Sequence, residues 1–472
     1  MQFFHRCISL CLAVLLADSA SGQDTTLDLD QTVLAIRTIV QDRVIPYDLV
    51  WGPEGWIWFT ERAGAIGRLD PQTGQVQLLH QEAEVYQSRD NSGMYALALH
   101  PNFARQPYVY VHYTFELYAS RLVRYTYDAA CGCLRDSVHL LPRILGHESH
   151  NGSRLLFGQD GMLYFTMGDA YVEDLAQDPY TLNGKVLRMT DAGGIPPDNP
   201  LPGSYAWTWG HRNPQGLIQL PSGAVFCSEH GDGRDDELNR LLPGRNYGWP
   251  LVAGLCDAAA EAAPCDQLAV VEPLRTWSPT SAPGGLAYYD HAAIPEWRHS
   301  LLQVFLKHLD GSLGQRMEVL RLTPGEDSIA AVKTYFAHTY GRLRAVLVAP
   351  DGRVFISTSN REMNGSQVVR PGDDRILELR NPDFPVLPAE TPGLVQVYPN
   401  PAGDSWLVQV PVSTGRVQVR LCDLAGRELR RYDGWLAGPQ VPMQREGLPA
   451  GSYLVAVQWS GGQAWCRLQV GV

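Results

Sequence analysis

GPEGWIWFTER at residues 52–62, FGQDGMLYFTMGD at 157–169, LPSGAVFCSEHG at 220–231 and APDGRVFISTSN at 349–360 are four versions of one local pattern. Each sets a glycine in a turn, follows it with an alternating aromatic or β-branched run, and ends on small polar residues. Alternation with period two predicts strands. Self-similarity at intervals of roughly 50 to 70 residues, with one wider gap, is the mark of propeller blades. HPNFARQPYVYVHYT at 100–114 and the strand around Leu301–Lys307 fill two remaining places. The sequence therefore predicts an all-β chain built on a six-bladed β-propeller. In such a fold the inner strands converge on a central channel and the loops leaving them form a site on one face, so the polar residues directly after the strands are the functional candidates.

Composition agrees with that reading. The 472 residues are 45% hydrophobic and 19% charged, enough for at least one large core and for two domains. Forty-five Gly and 33 Pro favour short strands joined by tight turns. The net charge of −12 argues against nucleic acid or an anionic membrane as partner, since both need basic surfaces.

Residues 1–22 carry His5 and Arg6, an apolar run from Ile8 to Ala17 and then small residues, the pattern of a secretory signal cut near Gly22. No later stretch reaches the roughly 18 apolar residues of a membrane span, which predicts a mature protein that is secreted or attached to the cell surface. Cleavage would remove Cys7 and Cys11. Of the remaining cysteines, Cys256 with Cys265 and Cys422 with Cys466 are candidate bridges in an oxidising compartment.

The propeller is expected to span 23–380. NPDFPVLPAETPG at 381–393 is a proline-rich linker, and residues 394–472 alternate strand and turn as a small Ig-like β-sandwich. VYPNPAGDSWLVQV, VRLCDLAGREL and GLPAGSYLVAV in that order resemble the type A sorting domain of the type IX secretion system. That resemblance implies the type IX machinery as a partner and export with removal or surface anchoring of this domain.

Chemistry concentrates in TWGHRNPQGL at 208–217 and SEHGDGRDDELNRLLPGRNYGWP at 228–250. Asp235, Asp236 and Glu237 in a glycine-rich segment offer oxygen ligands to a hard cation such as calcium. Arg212 and Asn213 offer a guanidinium fork and an amide to a planar anionic ligand. His150 opens one repeat and Asp169 closes it, a pairing suited to an imidazole base held by a carboxylate.

These stretches, with HNGSRLLFGQDGMLYFTMGD, LNGKVLRM, GHRNPQGL, NYGWP and RLRAVLVAPDGRVF in that order, resemble the soluble glucose/sorbosone dehydrogenases over roughly Val44 to Leu379. The resemblance implies pyrroloquinoline quinone (PQQ) and calcium as cofactors, a small sugar or related alcohol as substrate, and a separate electron acceptor. It makes His150 the base, Asp169 its carboxylate, and Arg212 with Asn213 the pair beside the reactive carbonyl. Lys307, Arg342 and Arg344 become the cations that hold the cofactor's carboxylates, with strand alternation putting the two arginines on one face. Gly231 and Asp232 take the places that hold the cofactor-bound calcium; Glu237, Tyr247 and Asp257 keep the spacing of a second, structural calcium site.

Several positions depart from the glucose-oxidising pattern. Asn91 stands where a glutamine contacts the quinone, Ser149 where an acid precedes the base, Asp174 for an amide and Asp232 for a proline. Trp277 matches a substrate-side tryptophan, though a far shorter segment precedes it. These changes leave the sugar open. Two other readings remain at this level: a propeller that binds glycans or proteins without turnover, and a calcium-dependent sugar lactonase, which gives Lys307, Arg342 and Arg344 no joint task.

Overall fold

The computed structural model describes residues 25–384 apart from 89, 308–313 and 363–368, and 395–470 apart from 399–401, 411, 413, 423–427, 437, 450 and 460–461. The expected signal sequence and residues 385–393 of the expected linker lie outside the described residues.

The quoted repeats form strands because each turn is locally determined. Gly55, Gly161, Gly223 and Gly352 all have φ between +76° and +95°, where a Cβ is unfavourable. The chain then runs straight into Ile57–Glu61, Leu163–Met167, Val225–Glu229 and Val354–Thr358, each buried along its whole length.

Antiparallel sheets follow one another along the chain. The first contains Pro46–Trp51, Ile57–Glu61, Ala65–Leu69 and Val76–Gln81, and the others begin on Met94–Leu99, Leu155–Phe157, Pro214–Gln219, Pro283–Tyr289 and Leu343–Val348. Each of these leading strands touches the next, and Leu343–Val348 returns to Pro46–Trp51, so the sheets form a closed, propeller-like ring. The last sheet is completed from the other end of the chain: Val33–Val40 pairs with Ile376–Arg380, and Thr25–Asp28 adds an outer strand. The sequence reading did not foresee this N-terminal closure.

Apolar clusters fill the gaps between neighbouring sheets. Trp58 and Ile66 of the first sheet pack on Val109, Val111 and Tyr125 of the second; Tyr110 and Leu122 of the second pack on Phe165 and Leu187 of the third. Full burial of each large side chain contributes roughly 1.5–3 kcal/mol. The ring thus gains most of its stability between sheets, which leaves the strand ends free to carry polar groups.

The C-terminal region has two sheets, one of Gln396–Tyr398, Ser405–Gln409 and Gln440–Gln444, the other of Gly415–Cys422, Glu428–Leu436, Gly451–Trp459 and Gly462–Val470. Both contribute to one apolar cluster that includes Trp406, Val408, Val419 and Leu468. Cys256 and Cys265 are bridged as expected, while the Cys131–Cys133 bridge was not anticipated. Cys422 and Cys466 are buried on the two strands that flank Gly451–Trp459. Among the described residues, no helix is long and apolar enough to cross a membrane.

Candidate active site

The segment before Leu155–Phe157 carries His150, and the turn after Leu163–Met167 carries Asp169. His150 Nδ1 lies 2.8 Å from Asp169 Oδ1. A carboxylate can only accept here, so Nδ1 holds the proton and Nε2 keeps its lone pair. Both side chains are buried. Burial lowers the His150 pKa below the ordinary imidazole value; Asp169 opposes that shift and the charge of Arg212 adds to it. The neutral, basic form is therefore favoured. Asp169 Oδ1 also accepts from Tyr171 N at 3.0 Å, and Oδ2 accepts from Trp249 Nε1 at 2.9 Å.

His150 faces a cavity of about 260 Å³ whose lining includes Asn91, Asn213, Lys307, Arg342 and Arg344. Five residues scattered over 250 positions of sequence thus meet at one site with the histidine. Lys307 donates to Thr280 Oγ1 at 2.7 Å. Arg342 Nε donates to Glu362 Oε2 at 3.0 Å, and a terminal nitrogen of Arg344 reaches Glu362 Oε1, so one buried carboxylate ties both guanidinium groups. Burial works against the charge on Glu362, but Arg344 and Arg342 outweigh it and hold its pKa at about 2. Three cations against one anion leave this wall positive.

Amides make up another part of the lining. Asn213 Oδ1 accepts from Gly152 N and from Gln215 Nε2, both at 3.1 Å, and Tyr47 OH donates to Gln215 Oε1 at 3.0 Å. His230 Nε2 donates to Pro283 O at 3.0 Å, and burial pushes its pKa down to about 3, so it stays neutral. Asn91 Oδ1, Arg212 Nε and Arg344 Nε are buried without a hydrogen-bond partner among the described residues. Polar atoms of this kind are free to hydrogen-bond a polar ligand.

Arg212 Nη1 donates to Gly231 O at 2.8 Å and Nη2 to Asp232 Oδ1 at 2.9 Å, while the guanidinium lies 5.0 Å from the centre of the Trp249 ring. The two residues expected to hold the cofactor's calcium are therefore brought to the arginine. The Asp232 side chain is largely exposed.

No hydrogen bond or ion pair joins the side chains of Glu237, Tyr247 and Asp257, the expected second metal set, among the described residues. Glu237 is buried in Asp236–Leu241, directly across from Glu229, and accepts from Gly254 N and Asn239 Nδ2 at 2.8 Å. Burial and then Glu229 push its pKa up to about 8. Tyr247 stacks on His211 with ring centroids 4.7 Å apart, and Asp257 is exposed. No group of three or more His, Cys, Asp or Glu side chains converges on a common point among the described residues.

Trp277 requires a correction. Its ring is buried in the apolar cluster around Phe226 and Phe305, and its Nε1 donates to Glu318 Oε2 at 2.9 Å. It is a core ring and does not line the cavity. The sequence reading also missed Trp249, Tyr171 and Glu362. NYGWP at 246–250 and the acid at 362 were visible as residue types, but Trp249 finds its partner Asp169 on another sheet, and Glu362 meets Arg342 and Arg344 only once Leu343–Val348 and Val354–Thr358 pair.

The site thus sets a cationic cavity beside a carboxylate-held imidazole within a closed, propeller-like ring of sheets. The glucose/sorbosone dehydrogenase profile matches residues 44–369, and the chain belongs to that family. It is 36% identical over 289 residues to quinoprotein glucose dehydrogenase B of Acinetobacter calcoaceticus, a match that covers 53% of this chain and 60% of that enzyme. Aldose sugar dehydrogenase YliI of Escherichia coli is 32% identical over 45% of this chain and 58% of its own length. The matches thus span about 60% of the length of these two relatives. Among solved structures, the PQQ-bound aldose sugar dehydrogenase of Streptomyces coelicolor superposes with a TM-score of 0.63 at 32% identity, covering 74% of this chain and 98% of that one.

Proposed function

We propose that the protein is a PQQ-dependent dehydrogenase that oxidises a hydroxyl of an aldose-type sugar or related alcohol. The observation that carries this reading is the meeting, in one cavity, of a carboxylate-held neutral imidazole and a wall of Lys307, Arg342 and Arg344. The residues fit the cofactor. Its carboxylates suit the three cations, and the unpartnered Asn91, Arg212 and Arg344 atoms supply hydrogen bonds that the protein alone does not satisfy.

When bound, PQQ supplies the two-electron acceptor for oxidation of the sugar's C–H bond. His150 Nε2 takes the proton of the substrate hydroxyl, and Asp169 keeps the ring in the tautomer that permits this while stabilising the imidazolium that forms. Arg212, backed by Trp249, stabilises negative charge as it develops on oxygen. Asn213 and Gln215 brace each other and hold the amide wall in place. For calcium, Gly231 O and Asp232, both beside Arg212, would be the hard oxygen donors. The facing buried pair Glu229 and Glu237 suits a second cation, because it removes like-charge repulsion in a water-poor setting. Electrons leave to a separate acceptor.

We further propose a six-bladed propeller over 23–380, a linker at 381–393 and an Ig-like type IX sorting domain at 394–472, in a protein exported through a cleaved signal sequence. The closed ring of sheets and the two-sheet C-terminal core support this layout.

Reconstitution tests the function. Purified protein supplied with PQQ and calcium should reduce an electron-accepting dye in the presence of one or more sugars of a panel. Sugar-lactone hydrolysis without PQQ, or glycan binding without turnover, would overturn the assignment.

A further inference from the structure

We propose that Tyr171 is a positioning residue for His150, setting the plane of the imidazole from which Nε2 meets the substrate hydroxyl. The inference rests on His150 being the base. The Tyr171 ring lies flat on the His150 ring, with centroids 3.8 Å apart and planes 14° from parallel. Asp169 Oδ1 receives both His150 Nδ1–H, at 2.8 Å, and the backbone N–H of Tyr171, at 3.0 Å. Between them, Ala170 N–H donates to His150 O at 3.1 Å. The histidine and the residue that covers it are therefore bolted to each other and to one carboxylate oxygen.

A hydrogen bond at Nδ1 pins one point of the imidazole but allows the ring to swing about that contact. A flat ring at stacking distance removes the swing. Together the two contacts determine the direction of Nε2, which neither determines alone. On the far side, His147 meets the tyrosine edge-on at 4.8 Å and backs the stack.

The backbone carries the second argument. His150, Ala170 and Tyr171 have φ of +59°, +51° and +59°, a region that residues with a Cβ avoid. Such conformations persist where the surroundings over-determine them, and they gather at functional sites. Hydrophobic burial does not explain this one, because Tyr171 is 53% exposed. Its ring covers the histidine instead of completing a core.

The charged and titratable groups that face His150 are Asp169, Arg212, His147 and His230. Loss of the tyrosine ring leaves all four in place and opens one face of the imidazole to water. Protonation then becomes easier, in the direction opposite to burial.

The test compares Tyr171→Leu with Tyr171→Phe, because leucine keeps bulk but removes the plane and phenylalanine restores it. In the PQQ-loaded enzyme, Tyr171→Leu should lower kcat on the order of 10- to 100-fold, with KM and the Kd for PQQ changed by less than about twofold. The acid limb of its pH profile should move up toward the ordinary imidazole value. Tyr171→Phe should recover most of the lost rate. In the PQQ-free protein, the NMR signal of the His150 Cε1–H should be shifted upfield by the stacked ring in the parent and in Tyr171→Phe, and move downfield in Tyr171→Leu. Thermal melting checks that each variant is folded. A folded Tyr171→Leu with the parent's kcat, pH profile and His150 signal overturns the positioning role while leaving His150 as base. Equal losses in both variants also overturn it, since they assign the effect to the phenol hydroxyl. A fully active His150→Ala overturns the base assignment and this inference with it.

Discussion

Trp249 Nε1 donates to Asp169 Oδ2 at 2.9 Å, from a loop 80 residues further along the chain. The indole thereby occupies the carboxylate oxygen that His150 does not use, and its face supports Arg212. One side chain thus contacts both the carboxylate that orients His150 and the guanidinium of Arg212.

Trp249→Phe keeps the ring that supports Arg212 but leaves a buried carboxylate oxygen short of a donor. The expected cost is about 1–3 kcal/mol of stability, together with a fall in kcat larger than any change in KM. Urea melts and steady-state kinetics check it; an unchanged kcat would remove Trp249 from the support of Asp169.

His150→Ala should abolish dye-linked sugar oxidation while PQQ still binds. In the parent, burial depresses the imidazole pKa, so the base is fully available at neutral pH and is lost only as pH falls through a value below about 6.5. The acid limb of kcat/KM is therefore expected below that pH. A limb well above it would show that another group titrates.

Arg342→Ala and Arg344→Ala should each weaken PQQ binding by roughly 10- to 150-fold, the equivalent of a lost charge-assisted bond of about 1.5–3 kcal/mol. Fluorescence titration with PQQ measures this directly. Parental affinity in both variants would take the two arginines out of the cofactor site.

Glu362→Gln should destabilise the PQQ-free protein, because it leaves Arg342 and Arg344 buried without their carboxylate. The folded-state pKa of Glu362 is depressed to about 2, so its contribution is present above the unfolded-state value and is lost as pH falls toward 2. The shift corresponds to about 3 kcal/mol. The gap between parent and variant in urea melts should thus be widest above about pH 5 and narrow as pH falls. A gap that stays constant with pH would contradict the ion-pair account.

The 23–380 fragment should melt cooperatively by itself, whereas a 41–380 fragment should not. The second lacks Val33–Val40, which pairs with Ile376–Arg380 and completes the last sheet. Chelation of calcium from the first fragment should also lower its Tm, because the cation proposed at Glu229 and Glu237 would bind only the folded chain. A melting curve unmoved by verified metal removal would exclude that second ion.

By itself, the sequence determined what depends on neighbours along the chain. A left-handed glycine at 161, 223 or 352 followed by alternating apolar residues forms a turn and strand wherever it occurs, so the repeats were legible. His150 and Asp169 were legible as a pair because they open and close one repeat, and Arg342 and Arg344 because two residues along a strand share a face. The tertiary structure alone decided what depends on the closing of the ring. Trp249 reaches Asp169 from another sheet, and Val33–Val40 finds a partner more than 300 residues away. Trp277 shows the reverse: the family resemblance made it a substrate-side residue, yet packing against Phe305 turns it into the core. Local backbone preference acts over a few residues and is written in each segment, whereas the choice of contact between distant polar side chains is made by the packing that brings their sheets together.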